Sequence, residues 1–170
     1  HKKGEEQEAF AAYDSCLQWK DDNVMALNNY AYYLSEKGVD LHKAESMSYK
    51  TIKAEPNNGT YLDTYAWILF MEERYADAKT YIDQALKNRD STADNSTVIE
   101  HAGDIYYMNG MADESVDFWK KAYTGENQTE VLAWKIKNRQ YITGEELKKR
   151  NAPKQKPAAT KKLVRKGKKK

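Results

Sequence analysis

A single cysteine, Cys16, occurs in the 170 residues, so no disulfide can close within the chain and the redox compartment leaves no mark. Prolines are scarce, three in all, and two of them (Pro153 and Pro157) fall beyond residue 150. The eight glycines form no phosphate-cradling loop, and neither paired cysteines nor a nucleophile elbow is present. Redox, nucleotide-dependent and hydrolytic chemistry therefore have no motif to stand on. No run of 18 apolar residues exists, which excludes a membrane-spanning helix of ordinary length. The opening His1-Lys2-Lys3 leads into no apolar leader. Acidic residues are missing altogether after Glu146, where the charge becomes purely basic.

What is present is helical periodicity. Gly59–Asp90 holds two amphipathic patterns broken at Glu72-Glu73-Arg74. Leu62, Tyr65, Ala66 and Leu69 mark one face, and Ala78, Ile82, Ala85 and Leu86 mark the other. Small residues at Ala66 and Ala78 let two antiparallel helices approach, and Tyr75 can wedge between them at the turn. The same order recurs upstream as Tyr30, Ala31, Leu34, Gly38, Ala44, Ile52 and Pro56. It recurs downstream as Ile99, Gly103, Tyr106, Gly110, Ser115, Trp119 and Ala122. The offsets are 35 residues (Ala31 to Ala66) and 37 (Ala66 to Gly103).

This recurring hairpin, over about residues 5 to 125, resembles the tetratricopeptide repeat (TPR). It departs from that pattern at Glu73, where the repeat usually has Gly, at Ser115 (usually Ala) and at Asp90 (usually Pro). The resemblance implies an all-α solenoid of helical hairpins, a right-handed superhelix. The order Leu27-Asn28-Asn29-Tyr30-Ala31-Tyr32-Tyr33-Leu34, then Tyr61 to Trp67, then His101-Ala102-Gly103-Asp104 is similar to the C-terminal repeats of long bacterial TPR proteins. Several of those are envelope lipoproteins that scaffold other proteins, including adaptors for C-terminal-processing proteases. The likeness favours a bacterial envelope setting over the cytoplasm.

Along the chain, residues 1–23 read as the second helix of an incomplete repeat. Ala9, Tyr13, Cys16 and Leu17 stand at its packing positions, Cys16 as a core residue rather than a nucleophile. The absent partner helix points to a repeat upstream, the alternative being a natural capping helix. Three hairpins follow at 24–58, 59–95 and 96–127, their helices predicted at Val24–Glu36 and Leu41–Ala54, Tyr61–Glu72 and Tyr75–Lys87, and Ser96–Met108 and Ala112–Tyr123. A closing helix, Thr129–Ile142, is expected within 128–150, with Lys135, Lys137 and Arg139 keeping its outer face soluble. The last segment, 151–170, is too polar to bury a core and is expected to be a disordered basic tail. Lys148–Lys170 carries twelve Lys and Arg and no acid, while the rest of the chain holds sixteen basic and all 26 acidic residues, a net charge of −10.

Binding is what the resemblance implies. The groove positions of the repeat map to Asn28, Asn29 and Tyr32, then Asp63, Thr64, Trp67 and Phe70, then Glu100, His101, Asp104 and Tyr107. No Lys or Arg stands among them, so the carboxylate clamp of the chaperone-cofactor branch is not expected. Exposed Trp67 and Phe70 beside Asp63, Glu100 and Asp104 would suit an extended partner segment with apolar and basic side chains. The competing reading packs Trp67 and Tyr32 against a neighbouring helix. Glu100, His101 and Asp104 have too few nitrogen or sulfur ligands for structural zinc, so no metal and no cofactor is expected. His42 lies in a turn without a partner in sequence. The tripeptides at Asn58, Asn95 and Asn127 match glycosylation acceptors but read better as helix caps. Lys161, Lys162, Arg165, Lys166, Lys168, Lys169 and Lys170 could contact nucleic acid or another polyanion by charge alone, fold over the acidic body, or simply solubilise it.

Overall fold

Among the described residues, three helical hairpins follow one another in series. The computed structural model describes residues 23–153, with Glu8 and Ala11 besides. The expectations for the 5–20 helix and for the basic residues of the 154–170 tail lie outside them. Eight α-helices occur among the described residues: α1 (Val24–Lys37), α2 (Leu41–Ala54), α3 (Gly59–Met71), α4 (Tyr75–Asn88), α5 (Ser96–Met108), α6 (Ala112–Ala122), α7 (Glu130–Asn138) and α8 (Gly144–Asn151). Within each hairpin α1 packs on α2, α3 on α4 and α5 on α6. Between hairpins α2 meets α3 and α4 meets α5, and the first helices α1, α3 and α5 stand side by side.

The small residues explain the close approach. Ala31, Ala66, Ala44, Ala78, Ala85 and Ala122 are wholly buried. At Gly103 a Cβ would come within 2.4 Å of the Trp119 ring and 3.1 Å of the Ser115 carbonyl oxygen. Gly103→Ala is expected to cost about 1–3 kcal/mol through overpacking, read as a lower urea midpoint. Ser115, where the repeat usually has alanine, is also fully buried, but its Oγ donates to the Ala112 carbonyl at 2.9 Å and so leaves no unmet polar group. The departure at Glu73 has a conformational meaning. Its φ is +61°, the left-handed turn between α3 and α4 that glycine adopts without strain.

Side-chain caps fix four of the eight helix starts among the described residues, that of α8 at Thr143 included. Asn23 Oδ1 accepts from the Ala26 N–H, Asn58 Oδ1 from Thr60 and Tyr61, and Thr129 Oγ1 from Leu132. Asn95 is different. Its amide donates to the Asp90 and Ala93 carbonyls, and Asp94 accepts from the Ser96 N–H in its place. His42 stands in the first turn of α2 rather than in a loop.

The expected closing helix is instead two helices with an extended passage between them. Arg139 adopts a left-handed conformation (φ +54°) and stops α7, residues 140–143 run without helix, and Thr143 opens α8 with a reciprocal capping box to Glu146. The return buries Ile142 and Leu147. α8 lies back on α7, with the Arg150 guanidinium 5.1 Å from the Trp134 ring centroid.

Candidate functional site

The first helices of the hairpins present a concave face, and the 140–143 passage crosses part of it. Trp67 is sandwiched there, its ring 4.7 Å from Phe70 at 12° and 4.0 Å from His101 at 14°. Phe70 is in turn edge-packed by Tyr141 at 5.7 Å and Tyr75 at 5.5 Å. The expected exposure of both rings is therefore overturned, at 9 % for Trp67 and 6 % for Phe70. The repeat's groove positions presuppose an open groove, whereas the chain's own passage covers Phe70.

Beneath the rings lies a buried polar network. Lys135, expected on the outer face of the closing helix, is only 3 % exposed. Its Nζ donates to both carboxylate oxygens of Asp104 (2.8 and 2.9 Å) and to Glu100 Oε1 (3.1 Å). It also lies 5.3 Å from the Tyr141 ring centroid and 5.8 Å from that of Trp119. Trp119 Nε1 adds a third bond to Asp104 at 2.8 Å. Burial pushes the Asp104 carboxyl up, and the Lys135 charge works against it. The outer-face reading fails because Asp104 and Glu100, 31 and 35 residues away in sequence, offer that ammonium its counter-charge.

His101 is held by Asp63, Nδ1 to Oδ1 at 2.9 Å with both side chains buried. Burial alone would lower its pKa. The Asp63 charge and hydrogen bond, with Asp104 and Glu36, outweigh burial and raise it. The folded value therefore lies above the unfolded one near 6.5. The stability that the proton confers is fully present below about pH 6.5 and is lost as pH rises through the folded pKa. A flattened stability-against-pH curve in His101→Gln, alongside NMR titration of the His101 ring, checks this. An unshifted ring titration would refute it.

A cleft of about 470 Å³ remains open between this network and the returning chain. Of the residues assigned to the groove from sequence, Tyr32, Trp67, Glu100, His101 and Asp104 line it. Asn28, Asp63 and Thr64 are buried and Asn29 is exposed, all four away from the cleft, as are Phe70 and Tyr107. Tyr107 instead packs 5.8 Å from the Trp119 ring. The remaining walls are Ser35, Glu36, Met71, Thr97, Asn127, Val131, Lys135, Tyr141, Ile142, Thr143 and Gly144. Glu36 and Thr97 had a legible signal, standing one turn from Tyr32 and His101 on the same helix faces. Glu36 is exposed and accepts from Trp67 Nε1 at 2.9 Å. Burial first, then the charges of Glu36 and Asp63, push the Tyr32 hydroxyl well above its ordinary range.

His101 and Asp104 are committed to Asp63 and Lys135, so Glu100, His101 and Asp104 do not converge on an ion. A different trio, His42, Glu45 and Glu72, brings ligand atoms within 4.8 Å of one another. Its two carboxylates already hold the Arg74 guanidinium at 2.7 and 3.2 Å. Among the described residues no helix is long and apolar enough to cross a membrane.

Comparison with known proteins gives a consistent fold. No family model matches the chain. TPR repeat-containing protein PA4667 of Pseudomonas aeruginosa is 35% identical over 66 residues, which are 39% of this chain and 11% of that protein. The chain thus spans about a tenth of that relative's length. Among solved structures, the first TPR domain of the human RPAP3 protein aligns with a TM-score of 0.58 at 13% identity, over 68% of this chain and 88% of that domain. The N-terminal domain of stress-induced protein-1 from C. elegans aligns at 0.53 and 20% identity, over 69% and 94%. With three hairpins, their small-residue contacts and these likenesses in agreement, the described chain has the tetratricopeptide-repeat fold.

Proposed function

We propose that the chain is a non-enzymatic scaffold or adaptor that takes a segment of a partner polypeptide into the cleft on its concave face. The observation that carries this reading is the cleft itself, which stays open beside the returning chain. It has aromatic walls at Tyr32, Trp67 and Tyr141 and polar groups of Glu36, Thr97 and Glu100 along its lining. Such a mixture offers apolar area to side chains and hydrogen-bonding groups to an extended backbone. The titratable groups at its floor, His101 with Asp63 and Lys135 with Asp104, are engaged with one another.

Thr97 is the natural probe, because it is exposed and lines the cleft. A photo-crosslinking residue at position 97 is expected to give discrete protein adducts in the native host, while one at the exposed Lys50 of α2 gives none. Thr97→Trp, which fills the cleft, is expected to abolish binding of the crosslinked partner while changing stability by no more than about 0.5 kcal/mol. Equal adducts from both positions, or binding that survives Thr97→Trp, would remove the cleft as the site.

A further inference from the structure

The cleft's own chemistry indicates what it selects. Four carboxylates belong to the network and its lip: Asp63 and Asp104 are buried, Glu100 is half-buried and Glu36 is exposed. Against them stand one ammonium, Lys135, and one imidazole, His101. The surplus is negative even with the imidazole protonated. Lys135 is seated by Asp104 and Glu100 with an aromatic ring beside it, so this face already holds one lysine side chain in place. Glu36 is the exposed member of the four. Its carboxylate is held on the cleft by the Trp67 indole N–H, and among the described residues no lysine or arginine forms an ion pair with it.

We infer that the cleft takes a lysine or arginine side chain of an extended partner segment, its cation on Glu36 and its methylene stem along the Tyr32 ring. This rests on the reading of the cleft as a polypeptide site and names the chemistry of the segment that enters it. Charge complementarity commits the site to a basic segment. An acidic or phosphorylated one would meet Glu36 and Glu100 with like charge, which costs affinity. A long basic side chain suits the walls, since its stem covers aromatic surface while its head stays at the carboxylate.

The test uses the full chain, labelled with nitrogen-15, and two capped pentapeptides: Ac-Ala-Leu-Lys-Leu-Ala-amide and its counterpart with norleucine in place of lysine. The Trp67 indole N–H signal reports occupancy directly, because that N–H donates to Glu36. The lysine peptide is expected to shift it saturably and to bind at least tenfold more tightly than the norleucine peptide. In Glu36→Gln the two peptides should bind alike, since that residue is exposed and the substitution keeps an acceptor for the indole. Added salt should weaken the lysine peptide alone. Equal affinities in the wild-type chain, or a lysine preference that survives in Glu36→Gln, would overturn the cation site and leave the polypeptide cleft standing. No saturable shift with either peptide would remove both.

Discussion

Lys135→Ala should lower the free energy of unfolding by about 3–5 kcal/mol, the loss expected when one partner is removed from a buried ion pair. The truncation strands the Asp104 carboxylate, which is buried and otherwise keeps only the Trp119 indole N–H. It also releases the α7 anchor that turns the chain back across the concave face. Asp104→Asn is the milder change, because Glu100 Oε1 at 3.1 Å still holds the ammonium and an amide oxygen still accepts from Trp119. Combining Lys135→Met with Asp104→Asn removes both charges and should recover more than half of the Lys135→Ala loss. A urea titration with unchanged slope provides the measurement. A Lys135→Ala midpoint equal to wild type would show that the ammonium contributes nothing to the fold.

Trp67→Ala is the second large effect, at about 3–5 kcal/mol for a buried tryptophan. The loss opens a gap in the Phe70–Trp67–His101 stack at the junction of the second and third hairpins. The Glu36 carboxylate, being exposed, regains water when its indole partner goes, so packing dominates the cost. Trp67→Phe should retain roughly half of the stability, since a ring remains in the stack. A Trp67→Ala variant as stable as wild type would place this ring on an open surface and contradict the packing described here.

The hairpins were legible because they are local. Ala31, Ala66 and Gly103 repeat at nearly equal spacing, and each helix shows its buried face at intervals of three and four residues. Helix ends agreed to within two residues where a cap or a glycine marked them, as at Asn23 and Gly38. The end of α7 was not legible. Arg139 carries no signal for a left-handed residue, and Tyr141 and Ile142 continue an apolar pattern that a helix would also explain. The site suffered most from this. Periodicity places Lys135 on an outer face, and only the tertiary pairing with Asp104 reveals an inner one. The repeat pattern reaches the aromatic groove positions, but the exposure of Phe70 depends on a distant segment whose local pattern is that of a helix.

That returning segment also changes how the array holds together. In an open solenoid each repeat touches only its neighbours, so stability is a sum of adjacent terms and the ends can unravel without the middle. Here Tyr141 reaches Phe70 on α3, and Lys135 reaches Asp104 and Glu100 on α5. The C-terminal segment therefore clasps the first helices of both the second and the third hairpin, tying α3 to the far end of the described chain. A zipper closed in this way cannot open tooth by tooth from its C-terminal end, because the first tooth released is also fastened to the middle. Loosening at α8 is transmitted to the second hairpin, and the second and third hairpins gain or lose their order as one cooperative block.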